Sequence, residues 1–376
     1  MISDRKNMWK YNLMLSDIPW DYYLHPCPTL YAKELSMFGP TLWVNPPTRN
    51  PAKAKLIFRN KNLIVFTPII LKRSLIDSGF GKCEVRLQIK AVASFFLGSA
   101  SSVWSISTAY PHFLDENPEA VSIFWSGDFF SPEKEFESYK NFDLILCLTP
   151  KKNEAIPTKF EGKKLDFHMC ANFPKTMSTN DFKKIEDLDA AIIKSISFTK
   201  VAGYVGTLSS RRFDYELFIA SVAKLPDVLF VVIGKSDGNH DTDFQIKKML
   251  SYKNVFLING IPYEKLHSAI SFFDICLIPY KTDAENIGTC PTKFIDYCTT
   301  GKTVLSTSLP GLEKFGRLCL FANNKEDFFK IIKKFDPSHN PFAEDRIKLA
   351  RRSLPSHFLK KFQSCFYENI HENTKI

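Results

Sequence analysis

The chain has 376 residues, of which 44% are hydrophobic and 24% charged, with a formal net charge of +10. That length suits two domains of ordinary size, each able to bury a core. Nine scattered cysteines without a Cys-x-x-Cys pair and eight scattered histidines argue against a disulfide framework and a structural metal.

The basic balance suits anionic partners. There is no zinc-finger spacing, no RNP-type aromatic motif and no dense basic helix, so nucleic acid is excluded in favour of phosphorylated substrates or acidic lipid headgroups. The opening MISDRKNMWK lacks the apolar run of a signal peptide, and the weakly polar stretch Ala91–Ser107 is broken by Ser and Gly. The expectation is a cytoplasmic chain whose membrane contact, on the inner face, is peripheral. The 34 Phe read as core packing.

Along the first half, NLMLS near residue 12 reads as a strand, followed by a helix over 28–38 and a second strand in TLWVNPP. Lys55 to Ile70 reads as an extended pair turning at 59–62, and Glu84 to Leu97 has helical spacing. SVWSIS, AVSIFWS, LILCLT and LDFHM continue the strands. KTMSTNDFKKIEDLD, within 173–197, is polar and reads as a linker.

The second half repeats the rhythm. KVAGYVGTL is a strand entering a glycine turn, and RFDYELFIASVAKL is a helix. VLFVVIG, NVFLING, DICLIPY, TVLSTS and LCLFAN are strands, with helices over 262–273 and 291–300. Continuous apolar strands of this kind are buried on both faces, as in a doubly wound parallel sheet. The expectation is an α/β chain of two Rossmann-like domains facing across a cleft. One spans 1–178, with a C-terminal helix 355–376 crossing back to it. The other spans 179–354.

Four segments in order, GYVGTLSSRRFDYEL, LFVVIGKSD, NVFLINGIPYEKLHSAISFFDICLIPYK and NIGTCPTKFIDYCTTGKTVLSTSLPG, resemble the nucleotide-sugar domain of GT-B glycosyltransferases. WDYYLHPCPTLYAKELSMFG followed by TLWVNPP is similar to the opening of their acceptor domains. The nearest style is that of family 4-like and bacterial surface-polysaccharide enzymes, including glucuronosyltransferases of the xanthan and teichuronic acid kind. Their P-x-K-x-x-E-Y motif reads here Pro291-Thr292-Lys293-Phe294-Ile295-Asp296-Tyr297, with Asp in place of Glu. The resemblance implies transfer from a nucleotide sugar, UDP-linked, to a saccharide or lipid-linked acceptor, with no cofactor. Many retaining members carry two glutamates eight positions apart. Aligned on Gly301 the second becomes Asp296, and Gly288 stands where the first should be. That departure favours inversion. A nucleotide-sugar epimerase and an inactive binding protein of the same fold are the alternatives.

Negative charge develops on the leaving diphosphate and needs cations or N–H groups. No metal cluster is visible, so the protein must supply them itself. The turn after GYV lets a phosphate approach the backbone at Gly206 and Thr207, with Arg211 and Arg212 just beyond. Pro291 suits the first position of a helix whose open N–H groups, with Thr292 and a mobile Lys293, face the donor. Here the resemblance also implies a phosphate-contacting lysine. Asp296, three residues on, accepts from ribose hydroxyls or pairs with Lys293. Gly234 and Gly260-Ile261-Pro262 fall at the carboxyl edge of the sheet, where Ile261 and Tyr280 are neighbours of base or sugar, although packing explains them nearly as well. Inversion needs a general base from the acceptor domain. Asp128, in WSGD past a strand, is the candidate, because Ser131 is the better cap for the following helix. Asp17 and Glu285 are its rivals. Asp17 and His25 are candidate acceptor contacts.

Overall fold

The computed structural model describes residues 11–21, 26–70, 79–94, 99–106, 117–126, 139–147, 156–166, 186–283, 286 and 289–360. The chain divides into two compact units, residues 1–168 with 358–376, and residues 169–357.

The first unit is built on an eight-stranded sheet: β1 (Asn12–Ser16), β2 (Thr41–Val44), β3 (Lys55–Asn60), β4 (Leu63–Thr67), β5 (Ser102–Ile106), β6 (Val121–Ser126), β7 (Leu144–Cys147) and β8 (Lys164–Asp166). The order is β3-β4-β2-β1-β5-β6-β7-β8, with every pair parallel except the hairpin β3–β4. Leu13, Leu15, Leu42, Val44, Ile64 and Val103 form one side of the sheet's core. The helix Gly79–Ala93 covers them with Val85, Ile89 and Val92, at i, i+4 and i+7 on one face. It starts earlier than its sequence spacing suggests. Within this unit Phe358 sets its ring against Tyr31 at 5.4 Å. Asn45 closes the carboxyl ends of the strands. It accepts from Trp20 N and Trp43 Nε1 and donates to Thr67 Oγ1, at 2.7–2.8 Å.

The second unit holds a wholly parallel six-stranded sheet: β9 (Lys200–Val205), β10 (Val228–Ile233), β11 (Val255–Ile258), β12 (Ile275–Ile278), β13 (Thr303–Thr307) and β14 (Cys319–Ala322). Their order is β11-β10-β9-β12-β13-β14. The winding therefore reverses between β9 and β12, which makes a topological switch point at their carboxyl ends. Residues read from sequence as linker contain the helix Glu186–Ser195, seated by buried Leu188 and Ala191. The helix read from Arg212 begins instead at Tyr215, because Asp214 accepts from Leu217 N at 2.9 Å and caps it. Helices His240–Leu250 and Lys325–Lys334, each capped by an Asn, were not read from sequence.

Among the described residues Cys27, Cys276, Cys290, Cys298 and Cys319 are buried thiols outside any disulfide, and Cys83 is an exposed thiol. No described helix is long and apolar enough to cross a membrane.

Candidate nucleotide site at the switch point of the second sheet

The β9–β12 register runs over Ala202–Ile275 and Gly203–Cys276, and the strands then part. The Tyr297 hydroxyl fills the gap. It accepts from Val205 N at 2.9 Å and donates to the Leu277 carbonyl at 3.2 Å. Tyr297 belongs to the short helix Lys293–Cys298, which is thereby fixed over the opening.

Lys293 enters this opening. It is 9% exposed, and its Nζ donates to Tyr204 Oη at 2.8 Å and Tyr280 Oη at 2.7 Å. Nζ also lies 4.0 Å from the Tyr204 ring centroid and 4.6 Å from that of Tyr280. Tyr204 Oη in turn donates to the Thr207 carbonyl at 2.9 Å. Lys293 is thus a held cation, not the mobile one expected from sequence. Burial, with the nearby charge of Arg212, pulls its ammonium well below the ordinary lysine range. An ammonium has three N–H donors, and the two tyrosines take two of them among the described residues.

Gly206 has φ +140°, and a Cβ there would come 2.5 Å from Lys293 Nζ. Gly234 follows β10 against it, where a Cβ would come 1.9 Å from the Gly206 carbonyl oxygen. Gly234 is required by the close approach of two strand ends, and Gly206 by its positive φ and the Lys293 side chain against it.

Asp296, three residues further along the same helix, makes no ion pair with Lys293. It is 8% exposed and accepts from Tyr263 Oη at 2.6 Å. Burial raises its carboxyl to about 7, against smaller lowering by the Tyr263 hydrogen bond and Lys293. The i, i+3 salt bridge weighed from sequence is therefore replaced by a tyrosine. Tyr263, His267, Asp296 and Thr299 line a small pocket. Thr299 Oγ1 donates to the Asp296 carbonyl at 2.6 Å and lies 3.0 Å from His267 Nδ1.

The other donor-side candidates fall around the same strand ends. Arg211 is exposed, and its carbonyl accepts from Asn286 Nδ2 at 2.9 Å. Ile261 is half-buried beside Gly260, whose φ is +75°. Thr292 is half-buried and makes no side-chain cap. Pro291 lies two residues before the helix proper. The N–H groups of Phe294 and Ile295 are taken by the Pro291 and Thr292 carbonyls at 3.1 and 3.0 Å. The open helix start expected from sequence is therefore partly closed. Among the described residues no group of His, Cys, Asp and Glu is arranged to hold a metal ion.

In the first unit Asp17 is exposed immediately past β1, at the switch point between β1 and β5. Asp128, His25, Glu285 and Gly288 lie outside the described residues. Tyr204 and Tyr263, the partners of the two charged residues, were not singled out from sequence. The only signal was their place in the glycine-turn segments GYVGT and GIPYE.

No family model matches the chain. A stretch of 114 residues is 26% identical to a Bacillus subtilis protein named as a teichuronic acid biosynthesis glycosyltransferase, TuaH. The match covers 30% of this chain and 28% of that relative. Among solved structures, a sucrose-phosphate synthase from Thermosynechococcus elongatus matches with TM-score 0.68 at 12% identity, over 95% of this chain and 99% of its own. An α,α-trehalose 6-phosphate synthase from Burkholderia multivorans matches with TM-score 0.71 at 11% identity, over 97% and 100%. Anabaena HepE in complex with UDP and glucose matches with TM-score 0.63 at 12% identity, over 94% and 99%. The fold is that of the GT-B glycosyltransferases.

Proposed function

We propose that the chain is a glycosyltransferase that moves a sugar from a UDP-linked donor to a saccharide or lipid-linked acceptor. The observation that carries this reading is Lys293. It is a buried cation at the switch point of a parallel sheet, repelled by Arg212 and paired with no carboxylate among the described residues. A group so placed is relieved by an anion, and the leaving diphosphate is that anion. Gly206 lets Lys293 sit close over the strand end, and Arg212 supplies a second cation. Asp296, held by Tyr263, faces a pocket suited to ribose hydroxyls. The likeness to a structure holding UDP and glucose supports the donor class. The partial match to a teichuronic acid enzyme supports a role in bacterial surface polysaccharide synthesis, and the net charge of +10 supports peripheral contact with the anionic inner face of the membrane.

The chemistry follows from the same charges. As the glycosidic C–O bond to the diphosphate breaks, its electron pair moves onto the leaving phosphate oxygen, and the ammonium of Lys293 meets the growing charge. The acceptor hydroxyl loses its proton to a carboxylate of the first unit, for which Asp128 is the candidate and Asp17 the rival. The absence of an acid at Gly288 supports inversion at the anomeric carbon.

The test is incubation of the full chain with a panel of sugar nucleotides and lipid-linked and free saccharide acceptors. The expected result is transfer from one UDP-sugar. Donor epimerisation or nucleotide binding without turnover would overturn it.

A further inference from the structure

The side of the eight-stranded sheet that carries the helix Gly79–Ala93 runs outward onto uncovered apolar side chains. Leu56 and Phe58 of the edge strand β3 are 37% and 64% exposed. Both stand opposite core residues, Leu56 across from Phe66 and Phe58 across from Ile64. Directly opposed residues share a face of a sheet, and Ile64 and Phe66 pack with Val85, Ile89 and Val92 of the helix. The outward row of that helix is Cys83, Arg86, Leu87 and Lys90, at spacing i, i+3, i+4 and i+7, and all four are exposed. Leu87 is 61% exposed.

The charges on the two faces of β3 differ. Lys55 and Arg59 point to the opposite side, and both pair with Asp21, at 3.4 and 2.5 Å. On the helix side, the one acid described in β3, its turn to β4 or the helix is Glu84, which is half-buried. Lys61 in the turn joins Arg86 and Lys90 as cations there. An apolar edge strand left open invites pairing with other chains. Apolar side chains interleaved with exposed cations instead match the boundary between anionic headgroups and acyl chains.

We infer that this face, with Leu56, Phe58 and Leu87 as its apolar contacts and Arg86 and Lys90 as its cations, docks the chain on a membrane bearing anionic lipid. This rests on the peripheral-membrane part of the proposed function and names the surface that performs it. Of the cations expected from sequence to form such a patch, Lys90 is in it. Lys72 and Arg73, and the side chain of Lys82, lie outside the described residues.

The experiment is flotation of the full chain with phosphatidylcholine vesicles, with and without a third of phosphatidylglycerol. The wild-type chain floats with the anionic vesicles only. The pair Phe58→Asp and Leu87→Asp, and separately the pair Arg86→Glu and Lys90→Glu, each lower the bound fraction about tenfold. The pair Lys247→Glu and Lys248→Glu, exposed on the second unit, leaves it unchanged. Every variant keeps the wild-type unfolding midpoint and UDP affinity. If the apolar pair unfolds the chain, the charge pair decides alone. Undiminished flotation of the face variants overturns this surface while the membrane reading stands. Failure of the wild-type chain to float with either vesicle overturns both.

Discussion

Gly206 sits directly against Lys293, so close that a Cβ on the glycine would come 2.5 Å from the lysine Nζ. The contact joins the end of β9 to a helix 87 residues further along the chain, and it sets the height of the cation over the strand ends. Gly206→Ala has no room unless Lys293 leaves its two tyrosines. The φ of +140° adds a backbone cost, and such conformations cost a non-glycine residue about 1–3 kcal/mol. The expected outcome is a lower urea midpoint together with UDP affinity weakened about tenfold or more, read by calorimetry.

Lys293→Met separates binding from folding. Loss of a charge-assisted contact should weaken binding of the nucleoside diphosphate by roughly 1.5–3 kcal/mol. Folding should respond in the opposite sense, because the buried ammonium is disfavoured in the native state. The native lysine releases its proton at lower pH than the unfolded one. The unfolded state therefore binds more protons up to the ordinary lysine value, and wild-type stability climbs with pH through that window. Lys293→Met lacks that climb. Urea unfolding at neutral and alkaline pH, wild type against variant, checks it. Parallel pH curves would place the lysine in water.

Asp296 predicts the opposite slope. Its carboxyl is raised from 3.8 to about 7, so between those values the native state binds more protons than the unfolded one. Its contribution to stability is fully present below about 4 and is lost as pH rises to about 7. Relative to Asp296→Asn, the wild-type chain should lose a few kcal/mol across that window, on the order of 1.4 kcal/mol per pH unit. Tyr263→Phe removes the hydrogen bond that holds the carboxyl down. The window should then extend upward. A midpoint series in urea from pH 4 to 9 reads both effects, and a Tyr263→Phe curve superimposed on the wild type would deny the coupling.

Asp128→Asn tests the proposed base. It keeps the side chain's shape and removes its basicity, so turnover should fall by about 10²–10⁴. UDP affinity should stay at the wild-type value, since the residue belongs to the first unit and the nucleotide site to the second. The product anomer, read by NMR, should be inverted relative to the donor. Near-normal turnover would move the base to Asp17. A retained anomer would refute the stereochemical claim alone.

Much of the scaffold could be read from local pattern. VLFVVI and ICLI are unbroken apolar runs of strand length, and they form the buried centre of the second sheet. The glycines at 206 and 234 stood out because a strand ending in Gly leaves its backbone approachable. The helix Glu186–Ser195 was hidden for the converse reason. Its sequence neighbourhood is polar, and its Ile192 and Ile193 are exposed, so its apolar residues do not mark a single buried face.

Sequence alone determined that Lys293 and Asp296 fall three residues apart at the start of a helix following a strand. At that spacing a water-exposed pair, a salt bridge and two separate buried sites are equally compatible with local geometry. Tertiary structure decided among them. β9 and β12 part after two paired residues, Tyr297 bridges the gap, and the opening takes in Lys293 between Tyr204 and Tyr280, 89 and 13 residues away in sequence. Asp296 is met by Tyr263, 33 residues away. Desolvation governs both charges, and desolvation depends on which distant side chains close around a group, a property that no window of neighbouring residues contains.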